Sequence, residues 1–432
     1  GTDRESAVVD MRYGNIEVIC ADVIKKYGDN KSQRRTDKID KILTHKVFAL
    51  PIFIGIMGLI FYITFGIVGK YATDGMSILM DMAGEGLKSL LVSLQVSDWL
   101  VGLVVDGIFA GISSVLSFLP TIIVLFLLLS IVEDTGYMAR VAFIMDKLLR
   151  KIGLSGRSIV PMLIGFGCSV PAYMSTRTIS SERDRKLTLL MVPFMSCNAK
   201  VPVYAIITMT FFQKYQALVM LFMYVLGIVV GILYALILQK TKFKGSSAPF
   251  VMELPPYRLP SGKTVIMYMW DKAKGFIVKA FTVILIASVA VWFLTNVSFT
   301  FSMVEDTGDS ILAMISKWIS PIFAPLGFGD WRLTTSLIAG LSAKEAVVST
   351  LAILFNVTQA ELPAALGGLM SPLQALSFLI FVSLYMPCLA AFATLRKEVK
   401  STGYAVLAMA FQTFIAYIVA LVIYTFGLLV TL

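Results

Sequence analysis

The sequence predicts an all-α polytopic membrane protein of about 8–10 membrane segments, built from two inverted repeats with broken or re-entrant helices. Three observations point there. Of 432 residues, 57% are hydrophobic and only 15% charged, where soluble domains hold about 25% charged residues. Apolar runs near the roughly 20 residues that a helix needs to cross a bilayer recur along the chain. A short string, PFMSCNA at 193–199, returns as LYMPCLA at 384–390, matching as aromatic-Met-x-Cys-x-Ala.

The elements follow in order. Residues 1–45 are polar and mixed in charge, begin without Met, and contain no cleavable signal peptide, so they read as the tail of a soluble domain. Residues 47–69 form a first span behind a basic flank (Arg34, Arg35, Lys38, Lys41, Lys46), which places the N-terminus in the cytoplasm. Residues 70–98 carry Asp74, Asp81, Glu85 and Asp98 against two lysines and suit the outer side. The apolar stretch 100–117, interrupted by Asp106 and glycines, reads as a short or re-entrant helix, and 120–132 completes a second strong span. Arg140, Lys147, Arg150, Lys151 and Arg157 mark the cytoplasm again. Residues 158–176 are apolar yet run into the basic RTISSERDRK, so this segment dips in and returns or is broken midway. Spans at 187–212 and 215–238 precede a basic loop containing the extended APFVMELPPYRLPSGK. Residues 276–297 then cross outward to Glu305, Asp306 and Asp309. Segments at 333–355, 372–395 and 404–432 close the chain, and the basic LRKEVK argues that one of the first two does not fully cross. The resulting division is 1–45, a cytoplasmic remnant; 46–240, a first membrane half; 241–275, a cytoplasmic basic loop; and 276–432, a second membrane half.

The net charge of +10 sits in short loops between apolar spans, which orients a membrane protein and excludes nucleic-acid binding. Four cysteines without a CxxC pair give no disulfide framework. Cys197 and Cys388 occupy equivalent repeat positions, each two residues after a methionine (Met195, Met386). Upstream of each lies an interrupted segment: GFGCSVPAYMST at 165–176, with Cys168, and GLSAKEAVVST at 340–350, with Lys344 and Glu345. Paired broken helices are what an inverted-repeat transporter uses to build its site. A single buried cysteine is usually a small hydrophobe, and a methionine usually fills gaps. Three cysteines beside helix-breaking residues point instead to soft ligands for a transition metal. Backbone carbonyls freed by Pro193, Pro202 and Pro387 add oxygen donors. Asn198 and Lys200 could orient Cys197 or line a path, and intramembrane Glu345 is a functional candidate by default. The single histidine, His45, excludes a histidine-built zinc site. No G-x-x-x-x-G-K-[ST] loop and no nucleophile–base–orienter triad occur, so no enzymatic activity is expected of this chain.

At GFGCSVPA, RTISSERDRKLTLLMVPFMSCNAKVPVYA and EDTGYMARVAFIMDKLLRKIGLSGRSIVPMLIGFGC, the sequence resembles the membrane region of the ferrous iron transport protein B family, FeoB. The resemblance spans residues 34–425 and is most specific from Glu133 to Ala205. It implies two gate-type repeats, Fe2+ as transported substrate, and a multi-pass protein of the bacterial or archaeal inner membrane. It also implies GTP and Mg2+ bound only by an N-terminal GTPase domain, whose motifs this sequence lacks; residues 1–45 resemble the end of the helical segment that follows it. Carried over, the family's glycine-cysteine motif falls on Cys168, its Ser-Cys motif on Ser196 and Cys197, its second gate cysteine on Cys388 and its acidic pair on Glu133 and Asp134. With Met195, Met386 and Glu345 these make the expected metal set. The cysteine-rich tail frequent in the family is missing. Expected partners are membrane lipid, the GTPase domain, small cytoplasmic Feo accessory proteins and further copies of the chain, with no nucleic acid. The competing expectation is a carrier of nucleosides or other organic solutes, whose gate repeats are similar; a scaffold subunit would not need thiols at broken helices.

Overall fold

The computed structural model describes residues 11, 16, 19, 31–45, 48–244, 256–299, 303–304, 307–359 and 361–431. Among them the chain is helical, with one isolated antiparallel bridge between Val297 and Met303. Six helices are long and apolar enough to cross a membrane, seven if a pair bent by 105° counts as one crossing. Shorter apolar helices and one further broken pair supply the remaining segments read from the sequence. Of the N-terminal remnant, most residues, Cys20 included, lie outside the described ones; α1 (Lys31–Leu43) is described.

Helix α2 (Ala49–Ser93) runs for 45 residues. At 1.5 Å per residue that is about 68 Å, twice the roughly 30 Å of a hydrocarbon core. The acidic stretch after the first span is therefore a helical extension, held by packing on α3 (Trp99–Asp134). Helix α3 corrects the expected re-entrant segment at 100–117: it is one helix of 36 residues through Pro120. The glycines that read as breakers seat a neighbour instead. Trp292 packs at Gly102 and Gly107, and Ser288 at Gly111, the close approach that small residues allow between membrane helices. A π-helical turn at Leu103–Phe109 absorbs the irregularity, and Pro120 persists because packed neighbours make up for its missing donor.

Helix α4 (Tyr137–Lys151) turns off α3 at Gly136, whose φ of 85° suits glycine. Its buried Arg140 grips Asp40 of α1 through Nε and Nη2, each at 3.1 Å, and stacks 4.2 Å from the ring centre of Tyr257. The first repeat follows as α5 (Ile159–Gly167), α6 (Ser169–Ser175), α7 (Glu182–Met191), α8 (Val201–Phe211) and α9 (Gln216–Thr241). Helix α10 (Gly262–Asn296) begins inside the stretch expected as a basic loop. Its Val265 and Ala273 are buried while Lys263 and Lys274 are exposed, so the basic charge lies on an outer helix face and does not break the helix. The second repeat comprises α11 (Ile311–Ile319), α12 (Trp331–Ala339), α13 (Ala346–Phe355), α14 (Leu362–Leu369), α15 (Pro372–Leu384), α16 (Leu389–Val399) and α17 (Thr402–Thr431). The 105° bend falls between α11 with its continuation to Leu326 and α12, where Gly327 takes a φ of 87°.

The two repeats interlock. Helix α6 packs on α16, α8 on α15, and α9 on α15. Helix α15 is buried from Ser377 to Leu384 and forms the axis of the core.

Candidate functional site

Four helix breaks, two from each repeat, meet around one cavity. At the first, Pro171 has no N–H for the carbonyl four residues back, that of Gly167, and the chain opens one residue later. Cys168 is extended there, at φ −155° and ψ 133°. A side chain on Gly167 would collide with Leu125 of α3, so glycine brings the broken end against that helix. At the second, Pro193 and Pro202 bracket an extended stretch containing Met195 (ψ 133°) and Cys197 (ψ 162°). In the second repeat, α12 and α13 are separated by turns over 340–345, and α15 and α16 by Tyr385 (ψ 171°) through Cys388 (ψ 158°). The sequence echo thus marks equivalent breaks, and the segments of Cys168 and Glu345 line one cavity.

The cavity of about 100 Å³ is lined by Cys168, Asn198, Ser342, Lys344, Glu345 and Cys388, closed by apolar side chains of α2 and α3. Cys168, Cys197 and Cys388 are free thiols and half-buried. Cys197 itself stands beside the lining. Among the described residues no three of the His, Cys, Asp and Glu side chains converge at metal-ligand spacing.

Two lysines with different duties border the breaks. Lys200, 2% exposed, donates to Ser383 O at 2.5 Å and Met195 O at 3.3 Å, so a cation from repeat one holds the carbonyl end of α15 in repeat two. Gln412 of α17 holds the next carbonyl, Leu384 O, at 3.0 Å, and Leu389 N donates to Leu341 O at 2.8 Å across the two breaks of repeat two. Lys344 lies with its Nζ 3.0 Å from the ring centre of Tyr385, whose hydroxyl donates to Leu337 O at 3.1 Å.

The other expected residues are placed as follows. Met195 is buried against Gly165 and Gly231, and Ser196 pairs with Tyr204 at 3.2 Å, so both face the packed core. Met386 is half-buried at the core edge. Glu133 lines a wider cavity of about 520 Å³ with Arg157 and Arg177, and this cavity shares Val170 with the thiol cavity. Asp134 is committed to Arg258 and to Ser261 N at 3.0 Å, which ties α3 to the segment before α10. Glu345, Ser342 and Ala343 also line a third cavity of about 220 Å³, with Asp106 in its lining. Asp106 sits in the π-helical turn of α3, a device common at functional sites; its charge inside an apolar run was the signal. At the end of α16, Glu398, its side chain 3% exposed, receives Arg177 at 2.5 and 3.0 Å and Arg185 at 2.9 Å. These hydrogen bonds raise the pKa of Arg177 above its ordinary value and join the ends of the two repeats.

Interlocked repeats whose four interrupted helices surround a buried thiol cavity define a polytopic helical membrane protein of the two-gate type. A family described as Gate, nucleoside recognition, matches residues 115–211 and 277–402, which take in the helix breaks of both repeats, and one described as ferrous iron transport protein B C terminus matches 220–272. The chain is 42% identical over 418 residues to the Fe(2+) transporter FeoB of Staphylococcus aureus (strain COL), covering 96% of this chain and 63% of the relative. It is 40% identical over 414 residues to the Fe(2+) transporter FeoB of Campylobacter jejuni, covering 92% and 67%. It is 35% identical over 478 residues to a Fe(2+) transport protein A/Fe(2+) transporter FeoB fusion protein of Porphyromonas gingivalis, covering 99% and 56%. The chain belongs to the FeoB family, and spans 63% of the length of its Staphylococcus aureus relative. No solved structure matches it.

Proposed function

We propose that this chain is the membrane path of a ferrous iron transporter. The observation that carries the reading is the meeting of Cys168 and Cys388, from opposite repeats, with Glu345 in one cavity at paired helix breaks. Thiol and carboxylate with freed backbone carbonyls suit a borderline ion such as Fe2+, and an incomplete ligand set lets it leave again. The shared linings order a route: from the cavity of Asp106, past Glu345 to the thiols, and past Val170 to the cavity of Glu133. The basic residues around α4 and the acidic ones on the α2 extension support an inner-membrane protein with a cytoplasmic N-terminus and Glu133 at the cytoplasmic mouth. Cys197 and Met386 stand next to the route, while Met195 and Ser196 pack behind it in the core.

A cavity of about 100 Å³ is too small for an organic solute, since such ligands occupy roughly 300–1,000 Å³; this favours the ion over a nucleoside. In the whole protein, a GTPase domain with GTP and Mg2+ preceding residues 1–45 would act through α1, which Arg140 anchors. A small accessory protein of the transport protein A type is a fitting cytoplasmic partner, in line with the fusion relative. The test is flux into liposomes with Fe2+, Mn2+, Zn2+ and nucleosides compared side by side. Entry of Fe2+ that saturates and is lost in the double variant Cys168→Ser, Cys388→Ser supports the reading. Nucleoside entry without metal entry overturns it.

A further inference from the structure

Helix α16 turns two faces to different surroundings. Ala390, Ala391, Thr394, Leu395 and Glu398 are buried in the core. Leu389, Phe392, Ala393 and Arg396 follow the i, i+3, i+4, i+7 spacing of the other face. With Val283, Ile286 and Ala290 of α10 they line a cavity of about 840 Å³. Ile286, Ala290 and Arg396 are exposed, so this groove opens to the outside of the protein. Its chemistry changes along its length. Near Leu389 both walls are apolar; the other end holds Arg396, Lys397, Lys400 and the start of α17 at Thr402. Among the described residues no carboxylate lines it. Arg396 and Lys397 make no hydrogen bond or ion pair among the described residues. Lys400 lies in the field of Glu182, whose carboxylate is already paired with Lys186 at 2.8 Å.

We propose that the groove between α10 and α16 is a binding site for an anionic phospholipid. Its acyl chain lies along Phe392 and Ala393, and its phosphate sits among Arg396, Lys397 and Lys400. The dimensions fit. From Leu389 to Lys400 the chain advances eleven residues, about 17 Å at the helical rise, and half of a hydrocarbon core is about 15 Å. The groove is therefore one leaflet deep, with its charge where the headgroups lie. Basic pockets between membrane helices attract anionic headgroups, and the N-terminus of α17 adds the positive end of a helix dipole. A zwitterionic choline lipid brings a cation of its own to that basic end, so headgroup charge sets the preference. Helix α16 carries Cys388 at its N-cap and packs on both α6 and α10. A seated lipid thus supports the helix that presents the thiol of the second repeat. The inference requires a bilayer and stands independently of the iron path.

The test uses the purified chain in a neutral detergent, with native mass spectrometry as the readout of lipid binding. The probes are phosphatidylglycerol, phosphatidylcholine with the same acyl chains, and sn-glycerol 3-phosphate, which offers a phosphate without chains. The expected result is phosphatidylglycerol bound at least tenfold tighter than phosphatidylcholine and not displaced by glycerol phosphate. The triple variant Arg396→Gln, Lys397→Gln, Lys400→Gln should bring the two lipids within threefold. Removing three other exposed charges, by Lys41→Gln, Lys147→Gln and Lys151→Gln, should keep the preference. Ala393→Trp and Ala290→Trp, which fill the groove from either wall, should each weaken phosphatidylglycerol at least fivefold with the basic end intact. Equal binding of the two lipids by the unsubstituted chain overturns the proposal, as does a preference that survives the basic triple variant. Equal loss in both triple variants also overturns it, because net charge and not this groove would then decide. Displacement by glycerol phosphate reduces the site to an anion pocket, and binding that both tryptophan variants leave unchanged removes the acyl groove; either result refutes the lipid.

Discussion

Lys200→Met should loosen the contact between the two repeats without unfolding either. The substitution orphans two buried acceptors, Ser383 O and Met195 O, which now receive the ammonium at 2.5 and 3.3 Å. Each unsatisfied buried acceptor costs about 1–3 kcal/mol, so the gross loss is about 2–6 kcal/mol. Part returns, because the variant no longer buries an ammonium and the methionine stem packs in its place. A net loss of about 2 kcal/mol is expected, and since 1.4 kcal/mol is a factor of ten, the breaks should open about 30-fold more often. The readout is maleimide labelling of Cys388 in the detergent-solubilised protein, followed by peptide mass analysis. Labelling of a half-buried thiol passes through local opening, so its rate should rise by that same factor of about 30. Lys214→Met serves as the control, since Lys214 is exposed and sits over Tyr215 at 5.7 Å. A Cys388 labelling rate within twofold of the unsubstituted protein would refute the clamp.

Cys168→Ser and Cys388→Ser should each lower Fe2+ uptake at least tenfold in cells that depend on it, and Cys197→Ser should do so less, because only the first two line the cavity; equal losses at equal protein level would place all three on the path. Glu398→Ala should lower thermal stability by about 2 kcal/mol, since it leaves two arginines facing a lost carboxylate near the repeat junction. A double-mutant cycle with Arg177→Ala should then show a coupling of no more than about 1 kcal/mol, because that guanidinium is half exposed; zero coupling would make the pair incidental. Gly167→Ala should displace Leu125 and destabilise the protein by about 1–3 kcal/mol through overpacking, and a melting temperature equal to that of the parent would show that α5 and α3 have room to separate.

Composition and span length by themselves determined that this chain is a helical membrane protein, because backbone groups in lipid must be satisfied within a helix. The repeated aromatic-Met-x-Cys-x-Ala string and the prolines at 171, 193, 202 and 387 determined where helices break, because a missing N–H is a local property of the residue. The residues that line the site were only partly legible. Cys168, Cys388 and Glu345 were, since each puts an unusual group inside an apolar run. The tertiary structure decided the rest. It turned Met195 and Ser196 toward the core and Asp134 toward Arg258, choices set by which neighbour each side chain meets. It made one helix of the glycine-rich stretch near Asp106, because Trp292 fills the space those glycines leave. And it gave two buried lysines different surroundings: Lys200 reaches a carbonyl 183 positions away in the chain, while Lys344 reaches none. Such long-range pairings depend on how the repeats interlock, which no local pattern of residues encodes.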